Sequence, residues 1–242
     1  MISASYASSI LIQDDLMRRV LRIGHRGAAG HAPENTLAAI QKAIALGVDF
    51  VEVDVRRTAD GALVLLHDAT VNRTTDGKGR VDHLSLREVK KFNAGDGEHI
   101  PTLEQAIKIA AGKTGLMLEL KVRGTAQQTV EAVRGAGFRN PVIYASFLHD
   151  ELKHVRTADS EASLMVLFGG LSRATVSRAV KYEPSYVGLR HDRVTRAIVD
   201  SFHRANLLVF VYTANAPSDI QHALSLDVDG VISNFPDRIT SQ

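Results

Sequence analysis

Eight apolar runs of strand length recur along the chain, and amphipathic stretches of helix length lie between them. The runs are Val20–His25, Asp49–Val55, Gly115–Lys121, Pro141–Ser146, Ala162–Phe168, Ser185–Arg190, Leu207–Thr213 and Asp229–Ser233. The helix-like stretches fall near Thr36–Leu46, Leu103–Ala111, Ala126–Ala136, Asp150–Thr157, Arg173–Tyr182, Arg193–Ala205 and Ser218–Leu226. Regular strand–helix alternation implies parallel pairing through right-handed crossovers. Eight such units in 242 residues suit a closed barrel better than an open doubly wound sheet. The expected fold is therefore α/β, a (β/α)8 TIM barrel forming one domain over residues 1–242. Asn35 is placed as the N-cap of the first helix, and Gly47 and Gly137 where left-handed C-caps are wanted.

One connection breaks the rhythm. Between Arg56 and Pro101 the chain holds a strand-like run, Ala62–His67, a polar Gly-rich tract, Thr74–Arg80, and an apolar stretch, Leu84–Phe92. Long insertions in compact domains are usually functional or disordered. This one starts just after Asp54, at the carboxyl end of the second strand, where a β/α barrel carries its active site. Residues 56–101 are expected to form a small inserted subdomain over the active-site mouth.

Composition removes several function classes. With no cysteine there is no disulfide, thiolate nucleophile or Cys-based zinc site. A formal charge of +2 gives no sign of nucleic-acid or anionic-membrane binding. No run reaches the roughly 18 apolar residues of a membrane helix, and stable membrane anchoring is not expected. Met1–Ile12 lacks a basic n-region and reads as a poor signal peptide, followed by a short helix near Asp15–Arg19. A cytoplasmic location is expected; the oligomeric state is not legible.

The strands carry residues that an apolar core would not choose. Side chains two apart on a strand share a face, so Glu52 and Asp54 point together, as do Glu119 and Lys121. Buried carboxylates call for a cation. Glu52, Asp54 and Glu119 suit a hard divalent ion with oxygen ligands, Mg2+ or Ca2+; an arginine-paired ion cluster is the alternative reading. His25 and His67, each closing a strand-like run, are the acid–base candidates. Arg26 and Lys121 are the anion-binding candidates, with Arg190 a further one at the end of strand six and Tyr212 a possible wall of the substrate pocket. His31 and His191 read as exposed or peripheral, and His99, His149, His154, His203 and His222 as surface. Asn215 and Asn234 read as turn or cap residues. No Gly-x-Ser-x-Gly elbow, P-loop, dinucleotide-binding glycine pattern or His-x-x-x-His zinc helix is present.

Taken in order, the motifs His25-Arg26-Gly27, Ala32-Pro33-Glu34-Asn35-Thr36, Glu52-Val53-Asp54, Thr58-Ala59-Asp60-Gly61, His67-Asp68, Arg73-Thr74-Thr75-Asp76-Gly77, Ile100-Pro101-Thr102-Leu103, Glu119-Leu120-Lys121, Tyr212-Thr213-Ala214-Asn215 and Asp229–Pro236 resemble the glycerophosphodiester phosphodiesterase family. The middle of the chain, residues 124–205, matches only as β/α units. The resemblance implies a β/α barrel with a small subdomain inserted after strand two. It implies His25 and His67 as catalytic pair, Glu52, Asp54 and Glu119 as ligands of a divalent ion, and Arg26 and Lys121 as the phosphate grip. The reaction implied is hydrolysis of a small glycerophosphodiester to sn-glycerol 3-phosphate and an alcohol. Departures are modest: Tyr212 stands where the family often has Trp, Ala214 where it often has Val, Ser233-Asn234 where Thr-Asp is usual, and the insertion is at the short end. Two other readings are weighed. A lysophospholipase D-like enzyme would need an apolar lip, whereas the spacing of Leu84, Leu86, Val89 and Phe92 suits a helix packed on the barrel. A non-catalytic barrel binding a phosphoryl ligand would be expected to have lost a His or an acidic ligand.

Overall fold

The structure is a computed structural model and describes residues 19–240; the helix expected near Asp15–Arg19 lies outside them but for Arg19. Among the described residues there are nine strands: β1 (Leu21–Gly24), β2 (Phe50–Arg57), β3 (Leu63–Leu65), β4 (Gly115–Leu120), β5 (Val142–Ser146), β6 (Ser163–Phe168), β7 (Tyr186–Arg190), β8 (Leu208–Tyr212) and β9 (Gly230–Ser233). All but β3 pair in parallel in the order β1-β2-β4-β5-β6-β7-β8-β9, and β9 returns to β1, closing an eight-stranded barrel. The strands expected from the sequence are these eight, with ends shifted by a residue or two. β3, the short strand-like run in the abnormal connection, pairs antiparallel with the far end of β2, Leu65 opposite Val55.

Period-two alternation sorts the side chains. Leu21, Ile23, Phe50, Met117, Ile143, Ala145, Met165, Leu167, Tyr186, Phe210 and Ile232 form one buried cluster inside the barrel. The intervening strand residues, such as Val51, Val53, Leu116, Leu118, Val166 and Val209, join the helix-facing core. Steps of two beyond the inner cluster lead to His25, Glu52 and then Asp54, Glu119 and then Lys121, Phe147, Arg190 past Gly188, Tyr212 and Asn234. The fold thus plugs the barrel with apolar groups and leaves the polar continuation of the same faces at the carboxyl ends.

The helices follow their signals with two corrections. Thr36, not Asn35, caps the helix Leu37–Ala45, its hydroxyl accepting from the Ala39 N–H; Asn35 is drawn into the site instead. Leu84–Phe92 does not make one helix laid on the barrel. It holds a single turn, Leu86–Val89, closed by a Ser85–Glu88 capping box. Its apolar residues Leu84, Leu86, Val89 and Phe92 join Val64, Leu66, Val71, Val81, Ala94 and Ile100 in a separate small core. Gly47 and Gly137 take positive φ at helix ends, as expected. Among the described residues, no helix is long and apolar enough to cross a membrane.

Candidate active site

The register of β2 on β4 places Asp54 opposite Glu119, and Glu52 lies one inward step back along β2. Glu52 and Asp54 are buried. Ligand-capable oxygens of Glu52, Asp54 and Glu119 lie within 4.8 Å of one another. Two cations answer this charge. Lys121 Nζ lies 2.6 Å from Glu119 Oε1 and 3.0 Å from Asp54 Oδ1, and Arg26 Nε lies 3.3 Å from Asp54 Oδ2. These contacts do not satisfy the cluster: Glu52 Oε1, Asp54 Oδ1 and Arg26 Nε are buried without a hydrogen-bond partner. At Asp54 Oδ1 and Arg26 Nε, ion-pair distance is met without the alignment of a hydrogen bond. A buried carboxylate oxygen left unpaired is costly, and a hard cation among such oxygens removes that cost. The donor set fits a divalent ion.

The charges of the cluster are pushed apart. Burial raises Glu52 well above the usual carboxylate range, reinforced by Asp54 and Glu119. Burial also raises Glu119, to about 7, against the pull of Lys121. Burial pushes Asp54 up as well, but Lys121 and Arg26 outweigh it and hold Asp54 below its ordinary value. Asn35 adds to that hold, its side-chain amide donating to Asp54 Oδ2 at 2.8 Å while its Oδ1 accepts from the Asp54 backbone N–H at 3.1 Å.

His25 follows β1 and sits beside Glu52, Nε2 to Oε2 3.9 Å. Its Nδ1 lies 2.6 Å from Asn234 Oδ1. An amide oxygen only accepts, so Nδ1 carries the proton and Nε2 the lone pair. Burial, with Arg26 adding to it, lowers His25 to about 4, so the ring is neutral near pH 7. His67 comes from the abnormal connection. The Leu66 N–H donates to the Asp54 carbonyl at 2.9 Å, and the Arg56 guanidinium donates twice to the His67 carbonyl, at 3.0 and 2.7 Å. Its Nδ1 meets Asp68 Oδ1 at 2.7 Å. Burial lowers His67 too, opposed by Asp54 and Asp68. Both imidazoles thus feel the charge of Asp54.

Arg26 is held by its backbone. Its φ of 49° lies in the left-handed region that non-glycine residues rarely adopt, and its N–H donates to Glu52 Oε2 at 2.7 Å. Its side chain then reaches Asp54 and Glu34, Nη1 to Oε1 2.7 Å. The two pocket candidates stand further out. Tyr212 donates its hydroxyl to the Phe168 carbonyl at 2.8 Å and meets Phe147 edge-on at 5.8 Å. Arg190 is exposed and forked onto Asp192 at 2.9 and 2.7 Å. Of the histidines read as surface, His149 is half-buried, its Nε2 on the Leu167 carbonyl and its ring against Phe168 and Tyr182. A separate cleft of about 780 Å3, lined by Arg56, Arg57, Asp60, Arg80 and Arg123 among others, includes none of the acid–base or carboxylate candidates.

Sequence reasoning missed what surrounds these groups. Asn234, read as a turn or cap residue, carried a signal that could have found it: it continues the inward face of β9 two residues beyond Ile232. Asn35, Glu34, Asp68 and Arg73 lie inside the quoted motifs, but no spacing rule says that they meet. Phe147, exposed at the end of β5 and 5.9 Å from Lys121 Nζ, continues the inward face beyond Ala145.

Comparison with known proteins places this arrangement. Residues 25–238 match the model of the glycerophosphoryl diester phosphodiesterase family. A glycerophosphodiester phosphodiesterase from Caldanaerobacter subterraneus subsp. tengcongensis is 30% identical over 234 residues, covering 91% of this chain and 96% of that protein. The Bacillus subtilis protein YhdW is 34% identical over 232 residues, 90% of this chain and 95% of its own. Among solved structures, an Oleispira antarctica phosphodiesterase in complex with the product sn-glycerol-3-phosphate superposes with a TM-score of 0.83 at 29% identity, over 90% of this chain and 94% of that one.

Proposed function

Because the chain belongs to the glycerophosphoryl diester phosphodiesterase family, we propose that it hydrolyses small glycerophosphodiesters to sn-glycerol 3-phosphate and an alcohol, with a divalent ion at the carboxylate cluster and two histidines moving the protons. The observation that carries the proposal is the pair of orphaned, buried carboxylate oxygens on Glu52 and Asp54 beside a neutral histidine. The same reading makes residues 1–242 one domain with residues 56–101 inserted over the mouth.

Glu52, Asp54 and Glu119 would hold the ion, Mg2+ or Ca2+, which when bound supplies positive charge to the phosphoryl oxygens. Arg26 and Lys121 border the same cluster and bind and orient the phosphoryl group. His25 accepts at Nε2 the proton of the attacking hydroxyl, because Asn234 keeps the other ring proton on Nδ1; the attacker is water, or the glycerol 2-hydroxyl with water then opening the cyclic phosphate to sn-glycerol 3-phosphate. His67 gives a proton to the leaving alkoxide as its bond to phosphorus breaks, and Asp68 on Nδ1 steadies the imidazolium before the transfer.

Val89 is buried in the small core, and Leu84, Leu86 and Phe92 pack partly buried against it, an engagement that favours small, deacylated substrates over an acyl-binding lip. The test is a panel of glycerophosphodiesters and their lyso counterparts, assayed with Mg2+, Ca2+, Mn2+ or chelator. Turnover of the deacylated substrates, lost with chelator, supports the reading. Faster turnover of the lyso substrates, or no turnover of either, overturns it.

A further inference from the structure

The two histidines belong to different parts of the chain. His25 extends a barrel strand, whereas His67 follows β3, which straddles two cores: its Leu63 and Leu65 join the helix-facing core of the barrel, while Val64, with Leu66 just beyond the strand, lies in the separate small core. An acid carried on the connection after β3 to a substrate held at the barrel mouth must be fixed to within a fraction of an ångström, since misplacement by about 1 Å can cost a hundredfold in rate. The β2–β3 ladder and the Arg56 contacts hold the His67 backbone but not its ring.

A continuous run of charged hydrogen bonds supplies the missing restraint. Arg26, beside His25, donates from Nη1 to Glu34 Oε1 at 2.7 Å. Arg73 donates from Nη2 to the same Oε1 and from Nη1 to Oε2, both at 2.8 Å. On its other edge Arg73 donates from Nε to Asp68 Oδ2 at 2.7 Å and from Nη2 to Asp68 Oδ1 at 3.2 Å. Asp68 Oδ1 holds His67 Nδ1 at 2.7 Å. Glu34 lies on the loop after β1 and Arg73 in the connection after β3. Their sequence separation is 39, and together they tie the barrel to that connection. Arg73 is about half exposed, and an isolated pair at such a site would contribute little. Here a planar guanidinium grips two carboxylates at once, a geometry that an ammonium does not reproduce.

We propose that Arg73 and Glu34 are positioning residues for the reaction, locking the His67 imidazole through Asp68 into the orientation from which it protonates the leaving alkoxide. The proposal rests on the reading of His67 as general acid. Its chemistry adds no step: the phosphorus–oxygen bond to the leaving group breaks, the proton on His67 passes to that oxygen, and neutral imidazole remains.

The experiment compares two substrates. Glycerophosphocholine leaves as an alkoxide that needs a proton; a p-nitrophenyl glycerophosphodiester leaves as a stable phenolate that does not. On glycerophosphocholine, Arg73→Gln and Glu34→Gln are expected to lower kcat by about 10- to 100-fold with KM within about threefold, whereas on the nitrophenyl ester kcat stays within about threefold. Arg73→Lys, which keeps the charge and loses the fork, should fall between wild type and Arg73→Gln. His67→Ala should show the same split, more steeply. Equal losses on both substrates in Arg73→Gln and Glu34→Gln, or no loss on either, would overturn the positioning role. If His67→Ala itself loses both activities equally, the acid assignment fails and takes the proposal with it. If His67→Ala splits the substrates and the Arg73 and Glu34 variants do not, the wiring alone is wrong. Melting curves for each variant separate loss of fold, and Arg73→Lys with Glu34→Gln decides the matter should Arg73→Gln not fold.

Discussion

At the scale of single residues, His25 and Asn234 carry the argument. The short contact between Nδ1 and the amide oxygen leaves Nε2 as the nitrogen free to accept a proton, the one the proposed base uses. Asn234→Ala removes that choice and is expected to lower kcat by about tenfold or more, while Asn234→Asp, which keeps an acceptor, retains most activity; steady-state kinetics on glycerophosphocholine tell the two apart. Equal activity in Asn234→Ala and wild type would show that the tautomer is held some other way. His25→Ala should lose about 100- to 10,000-fold in kcat with its fold intact. Residue types in strands made His25, Glu52, Asp54, Glu119 and Lys121 legible, because carboxylates and imidazoles in apolar runs have few structural uses. Their partners were not. An asparagine in a turn-like context reads as a cap until the coordinates show what its amide meets, and Asn35 and Asn234 both escaped for that reason.

Elements show why the site holds its shape. Gly27 turns the chain out of β1 at a φ of 85°, and a Cβ there would meet the backbone carbonyl carbon of Ala39 at 2.5 Å. That close approach lets the loop return against the helix Leu37–Ala45, with Ala28 N–H donating to the Ala39 carbonyl, and so carries Arg26 and Glu34 back to the mouth. Gly27→Ala should cost upwards of about 2 kcal/mol, the left-handed conformation alone accounting for about 1–2 kcal/mol. Urea unfolding measures this, and a loss below about 0.5 kcal/mol would mean the loop relaxes freely. The strands were legible as apolar runs of strand length, because parallel strands covered on both faces read as near-continuous apolar sequence; the caps were less so, since Asn35 and Thr36 are adjacent and both are good N-caps. Leu84–Phe92 misled for a different reason. Its apolar spacing said that it packs on something, but periodicity cannot name the surface, and that surface is a second small core rather than the barrel.

At the scale of the whole molecule, the proposed ion site links stability to pH. Glu119, raised to about 7 by burial, favours its protonated form in the folded state without an ion. That contribution is fully present below its ordinary value of 4.5 and is lost as pH rises through about 7. Binding a divalent ion requires the ionised form, so the ion competes with a proton on Glu119 more at pH 6 than at pH 8. Added Mg2+ or Ca2+ should therefore raise Tm more at pH 8 than at pH 6, and an equal shift at both would contradict the ligand role of Glu119. His25 works in the other direction: buried and neutral, it contributes stability above its ordinary 6.5 that is lost as pH falls through about 4. Closure of the barrel brings the first and last strands together, β1 on β9, and so sets His25 beside Asn234 across 209 positions, a meeting that the alternation of strands and helices implies only once the sheet is known to close. The most direct test of the whole account follows sn-glycerol 3-phosphate release from glycerophosphocholine by protein stripped with chelator and then given Mg2+ or Ca2+, wild type beside Glu52→Gln. The account predicts release by the repleted wild type, none by the stripped protein, and a loss of at least about a hundredfold in Glu52→Gln. Full activity in the stripped protein, or a Glu52→Gln variant as active as wild type, would contradict it.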